Sequence, residues 1–201
     1  MKTSNSRGQA LSAVAGETGI MPMTAGELAK LTVSCGAGKA AVILKNRVVL
    51  SADFREICKG NACGNFGKCH MCPPDVGEIG DLIKRVREFD TAVMYQSVYE
   101  LDDSFDFEGM QSAGASFNNT ARRIQEMAGG MLRRRWLHLA AGGCRGCEIC
   151  AKRENMPCRA PEQALASLEA YGVDVYQTAV NAGLAYGNGA DTVTYFGMLF
   201  L

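Results

Sequence analysis

Eight of the nine cysteines in this 201-residue chain fall into two groups of four. The first group consists of Cys58, Cys63, Cys69 and Cys72, and the second of Cys144, Cys147, Cys150 and Cys158. Thiolates are the preferred ligands of structural zinc and of iron–sulfur clusters, and both usually take four of them. The sequence therefore predicts two metal centres, each with a complete set of ligands.

The second group has the more specific spacing. Two residues separate Cys144 from Cys147, and two separate Cys147 from Cys150. This spacing lets one tight loop place three thiolates on three irons of a cubane cluster, and neighbouring glycines free the backbone amides to point at the sulfurs. In ferredoxins the fourth ligand follows after three residues and precedes proline. Here Cys158 follows after seven and comes after Pro157. We predict a 4Fe-4S cluster.

The first group, with the spacing C-x4-C-x5-C-x2-C followed by Pro73-Pro74, matches neither a standard zinc finger nor a plant-type ferredoxin. Four thiols within a short, glycine-containing segment still favour one common centre. A second 4Fe-4S cluster is the preferred interpretation, and zinc stays open as the alternative.

Three further residues have chemistry that needs an interpretation. His70 lies between Cys69 and Cys72 and could bind a cluster, although a non-ligating role is favoured. His138 lies in an apolar run and is predicted to be a hydrogen-bonded core histidine. Cys35, the ninth cysteine, is predicted to be a buried free thiol.

Composition limits the compartment and the partners. Acidic and basic residues are equal in number, at 21 each, so no overall positive field favours nucleic acid. No apolar run is long enough for a membrane span, and residues 1–22 lack the apolar core of a signal peptide. We expect a flexible tail over 1–22, a single metal-binding domain over 23–201, and a cytoplasmic location. In a reducing compartment, nine cysteines favour metal binding over disulfides.

An arginine cluster stands out against the neutral background. It consists of Arg122, Arg123, Arg133, Arg134 and Arg135. The solvated face of a helix is the favoured interpretation, because most charged runs have that role. The alternative is a docking surface for an acidic redox partner protein.

Both helices and strands are predicted to position these residues. Apolar periodicity and capping signals predict helices over 24–31, 75–89, 117–135, 161–171 and 174–183. Apolar and β-branched runs predict strands at 40–44, 47–50, 91–98, 136–140 and 192–201. Residues 51–74 and 99–108 are predicted to be loops, the latter acidic. The fold class is α+β: one domain, a mixed or antiparallel sheet with helices packed on it, and two cysteine-rich cluster-binding loops at its margins.

Catalytic signatures are weak. Gly36–Ala41 fits G-x-G-x-x-A, but a helix is predicted before it and a strand after it, the reverse of a dinucleotide-binding site. No Ser/His/Asp or Cys/His catalytic grouping stands out, and the sequence has only two histidines to serve one. The catalytic residues, if there are any, stay unknown.

The chain resembles a family of cysteine-rich, predicted metal-binding proteins found mostly in anaerobic microbes. The likeness rests on the first cysteine group with its Phe66-Gly67-Lys68 and Pro73-Pro74, and on the second with Pro157-Cys158-Arg159. It extends to the segment 167–175 and to Tyr195-Phe196-Gly197. The resemblance implies metal binding through the eight cysteines and a longer spacing before Cys158. It implies no particular reaction.

Three hypotheses about function follow. The first is an iron–sulfur protein whose two clusters pass single electrons to a redox partner. The second is an enzyme or activator in which one cluster keeps an open iron site for a small metabolite or a corrinoid. The third is a zinc-stabilised interaction module.

Overall fold

The centre of the molecule is a five-stranded mixed sheet, seen in a computed structural model that describes residues 23–201. The predicted tail over 1–22 lies outside the described residues. The strands are β1 Lys39–Leu44, β2 Thr91–Glu100, β3 Leu137–Ala140, β4 Ala166–Ser167 and β5 Thr192–Phe200. Their order is β1-β2-β5-β3-β4, antiparallel throughout except for the parallel pair β3 and β4. The prediction of an α+β fold with a mixed sheet is confirmed.

The described residues form five helices, four of which pack on the two faces of this sheet. They are α1 Ala25–Ser34, α2 Phe54–Lys59, α3 Ile79–Arg87, α4 Phe107–Met131 and α5 Val175–Ala182. The start of α1 is the predicted capping box, in which Thr24 Oγ1 accepts from the Glu27 amide at 3.2 Å and Glu27 Oε2 accepts from the Thr24 amide at 2.8 Å. Helices α1 and α4 cover one face, and α3 and α5 cover the other.

Strand β2 contributes side chains to both halves of the core, because its successive side chains point to opposite faces of the sheet. Val93 and Tyr95 pack with α1 and α4, while Met94 packs with α3 and α5, and all three are fully buried. Strand β5 lies between β2 and β3, and its last five residues are buried. A strand apolar on both faces belongs in the middle of a sheet, as predicted for the end of the chain.

Two predicted elements are wrong. Residues 47–50 form no strand and therefore no hairpin: Lys45–Arg47 is a 3₁₀ turn, and Val48 and Leu50 pack on the α3 and α5 face instead. The predicted helix 161–171 is two 3₁₀ turns, Pro161–Gln163 and Glu169–Tyr171, on either side of β4. In both segments the contacts with the sheet override the local pattern.

Other boundaries differ in position. Helix α4 begins at Phe107, inside the predicted acidic loop, because Asp106 caps it by accepting from the Gly109 amide at 2.8 Å. It ends at Met131, just after Gly129-Gly130, instead of continuing to 135. Helix α3 begins at Ile79, later than predicted.

A buried polar chain ties the sheet to α4. Gln125 Nε2 donates to the Glu162 carbonyl at 3.1 Å, so Gln125 Oε1 faces His138 Nδ1 at 2.9 Å, and Nδ1 must carry the hydrogen. His138 Nε2 then accepts from the Tyr95 hydroxyl at 2.8 Å. Burial lowers the pKa of His138 to about 3. This is the hydrogen-bonded core histidine expected from the sequence.

We predict that Gly197→Ala destabilises the protein by about 1–3 kcal/mol, because a new methyl group must be forced into a packed core. Gly197 is paired with Tyr95 across β2 and β5, and a Cβ at Gly197 would collide with the Tyr95 ring. Urea unfolding of the purified variant measures the effect.

The matched control is Gly26→Ala on α1, where an added Cβ meets no atom within 4 Å. There the free energy of unfolding is expected to stay constant or rise by up to about 1 kcal/mol. Equal stabilities of the two variants would contradict the packing that we describe around Tyr95.

Candidate metal centre

The eight grouped cysteines lie on two neighbouring irregular segments. Cys58 is on α2, and the other three members of the first group follow on the turn-rich segment before α3. The second group begins four residues after β3, and the 3₁₀ turn Ala151–Glu154 separates Cys150 from Cys158. None of the eight belongs to a disulfide.

The four members of the first group lie near one another. The thiol of Cys72 is hydrogen-bonded to Cys69 and buried, and the charges of Cys63 and Cys58 lie close enough to raise its pKa further. The pKa of Cys69 is lowered to about 6 because its sulfur accepts from Cys72 and from backbone amides. The structure therefore brings all four side chains of this group into one neighbourhood.

The second group lines one small hollow. Its walls include all four members of the group and, in addition, one member of the first: Cys69, Cys144, Cys147, Cys150 and Cys158. Burial raises the pKa of the Cys144 thiol, while the amides of Gly146 and Leu165 point at its sulfur and act in the opposite direction. Amides directed at sulfur are what the glycine-rich loop was expected to supply.

Cys69 is the point at which the two groups meet. Cys69 lies close enough to Cys72, Cys150 and the Cys144 amide for these groups to lower the pKa of its thiol, and it lines one hollow with the second group. Cys69 is buried, with 2% of its surface exposed. The two groups of cysteines therefore lie next to each other, whereas the sequence predicted two separate loops at the margins of the sheet.

Further contacts hold the two cysteine segments together. His70 Nε2 is 2.8 Å from the carbonyl of Met156, so the histidine donates across the junction. Lys152 forms an ion pair with Asp75, in which both side chains are largely shielded from solvent. These two contacts were not predicted, because each joins residues that are distant in sequence.

Positive groups accompany the thiols. Arg55 is buried, donates to the Gly77 carbonyl at 2.8 Å, and favours the thiolate of Cys58, whose pKa is nevertheless raised, mainly by burial. Arg159 lines the hollow of the second group and donates to the Ile149 carbonyl at 3.0 Å. These cations and the sulfur-directed amides offset the charge that bound thiolates would concentrate here.

The chemistry of the donor set is compatible with an iron–sulfur cluster. Within residues 23–201, no three His, Cys, Asp or Glu side chains lie close enough together to hold a single metal ion. In a cubane cluster each thiolate binds its own iron, so the ligands surround a larger group and stand farther apart. Soft sulfur donors, amides aimed at sulfur and nearby cations all fit an iron–sulfur cluster.

The remaining candidates lie elsewhere. Cys35 is buried beside α1, in the core on the α1 and α4 face, as a free thiol. In the arginine cluster, Arg122 donates to the Arg145 carbonyl, and Arg135 pairs with Glu88. Arg134 donates to the Met23 carbonyl at 3.5 Å.

No helix within the described range 23–201 has the length and apolar character needed to cross a membrane.

Two cysteine-rich segments on a small α+β scaffold define the class as a metal-binding protein. The chain belongs to the DUF2284 family of predicted metal-binding proteins, whose family model matches residues 41–201. The resemblance to a predicted metal-binding family is confirmed. No curated protein and no solved structure matches the chain significantly.

We predict that Gly143→Ala loosens the junction of the two cysteine segments. A Cβ at Gly143 would lie 2.9 Å from Asn65 Nδ2, which donates to the Cys63 carbonyl at 3.2 Å. The new methyl group must push Asn65 away from the first group, so thermal stability and metal retention should both fall.

The double variant Asn65→Ala/Gly143→Ala provides the control, because it removes the side chain that the new methyl group meets. Metal retention during dialysis against a chelator should recover partly in the double variant. A double variant that loses metal as fast as Gly143→Ala would show that the close approach of Asn65 is not the cause.

Proposed function

We propose that the eight grouped cysteines hold two 4Fe-4S clusters and that the protein transfers electrons in the cytoplasm. The observation that carries the proposal is the junction at Cys69, where the two groups of thiols adjoin. Such clusters supply one-electron oxidation and reduction, with potentials tuned by hydrogen bonds to sulfur and by burial. Neighbouring centres in one small domain suit the passage of single electrons.

The donor set supports clusters over zinc at both groups. Zinc requires four ligands at bonding distance from one ion, whereas each thiolate of a cubane binds a different iron. Amides that point at Cys69 and Cys144 stabilise sulfur that carries negative charge. Zinc at the first group, or a zinc-stabilised interaction module, is the outcome that metal analysis would reveal instead.

The electron-transfer role is supported by how the protein uses its polar side chains. His138, the histidine outside the cysteine segments, has both ring nitrogens occupied in the buried chain with Tyr95 and Gln125. Its pKa, lowered by burial, keeps it neutral at physiological pH, so it does not act as an acid or base.

A redox partner protein completes the proposal. Arg123 and Arg133 are exposed, and within the described range 23–201 neither forms an ion pair, so both are free to meet acidic residues of a partner. Rising salt should weaken such a complex by screening. The second candidate function is an enzyme or activator acting on a small metabolite or a corrinoid. It is favoured by a cleft beside the second cysteine group, lined by residues that include Arg85, Trp136 and Glu162.

Protein purified without oxygen should be brown and contain about eight iron and about eight acid-labile sulfide per chain, because each four-thiolate set holds one cubane. Iron, sulfide and zinc analysis measures this content. Two zinc ions per chain without sulfide would contradict the cluster proposal.

Cys147→Ala should remove about half of the iron and leave the first group loaded, because its four ligands come from another segment. Iron analysis and electron paramagnetic resonance of the reduced protein distinguish the two centres. The control is Cys35→Ala, which should keep all of the iron, since Cys35 lies in the core away from both groups. Loss of both centres in Cys147→Ala would show that the ligand sets are shared.

A further inference from the structure

A cleft of about 250 Å³ lies beside the second cysteine group. Met71 and Ala164 line both this cleft and the hollow of the cysteines, so the two spaces are neighbours. Gln125, Trp136 and Glu162 line both the cleft and a larger depression of about 630 Å³ along α4. A small molecule therefore has a path from solvent along α4 to the edge of the second group.

The cleft contains two opposite charges. Arg85, on α3, donates to the Tyr171 hydroxyl at 3.4 Å, and Glu162 belongs to the turn after the second cysteine group. Neither forms an ion pair with the other or with any other residue in 23–201. A guanidinium next to a hydroxyl binds a carboxylate, and a carboxylate binds an ammonium group.

The remaining walls determine the rest of the ligand. Met71 and Trp136 are half-buried and provide apolar and aromatic surface, while Leu137, Leu139 and Ala166 also line the cleft but are buried. The polar groups of His138 and Gln125 are already hydrogen-bonded to each other and to other residues, so they do not need a hydrogen bond from a ligand. The volume lies just below the range of about 300–1,000 Å³ that is usual for drug-sized ligands, so it suits a smaller one.

We propose that this cleft binds a small zwitterion, an α-amino acid with an apolar side chain. Arg85 and Tyr171 hold its carboxylate, Glu162 holds its ammonium group, and the apolar walls enclose its side chain. A phosphate ester fits poorly, because Glu162 repels a dianion and the cleft offers one arginine. The proposal goes beyond electron transfer and applies whether the neighbouring centre contains iron or zinc.

Isothermal titration calorimetry of the metal-loaded protein tests the proposal with L-leucine and L-phenylalanine. We expect saturable binding of both, and binding weaker by at least about tenfold for 4-methylpentanoate, which lacks the ammonium group, and for 3-methylbutylamine, which lacks the carboxylate. Trp136 is the single tryptophan of the chain, so a change in its fluorescence reports binding at this cleft.

Arg85→Gln and Glu162→Gln should each weaken L-leucine binding by at least about tenfold, because each removes one charge-assisted contact. Both positions are exposed, so folding is not at risk. The matched controls Arg87→Gln, on the same helix but outside this cleft, and Glu108→Gln should bind L-leucine as the unmodified protein does.

Three results would overturn the proposal: no saturable binding of either amino acid up to millimolar concentrations, equal binding of 4-methylpentanoate, or unchanged binding in Arg85→Gln. Tighter binding of phenyl phosphate would likewise exclude the amino-acid class. Metal analysis of the same samples keeps this test separate from the cluster proposal, since either result can fail without the other.

Discussion

The thiol of Cys69 is the contact on which the arrangement of the candidate site depends. It lies beside Cys72 of its own group and lines one hollow with Cys144 and Cys150 of the other group. Neighbouring donor groups lower the pKa of Cys69 although burial acts in the opposite direction, while the pKa of its partner Cys72 is raised. Because Cys69 lies next to both groups of cysteines, the two cysteine segments form one structural unit.

The sheet supplies the rigid support for this unit. Strand β3 leads directly into the second cysteine segment, and β4, which follows that segment, returns beside β3 as its parallel neighbour. The chain Tyr95, His138 and Gln125 links β2, β3 and α4, and Gln125 continues to the Glu162 carbonyl next to the cysteine segment. Buried, fully satisfied polar networks of this kind fix one arrangement of the elements that they join.

Charge explains much of what surrounds the thiols. Thiolates gathered in a partly buried place need amides and cations nearby, and Arg55, Arg159 and Lys152 lie on or beside the two segments. The opposite charges of Arg85 and Glu162 line the adjoining cleft without pairing.

The sequence by itself determined the features that depend on local spacing: the capping box at Thr24, the strand pattern of β5, and the grouping of eight cysteines into two sets. Each is set by residues a few positions apart. Only the tertiary structure decided that residues 47–50 form no strand, that β4 lies within a predicted helix, and that Cys69 lines one hollow with Cys150. Those outcomes depend on contacts between distant segments, where burial against the sheet outweighs local propensity and spacing along the chain carries no information.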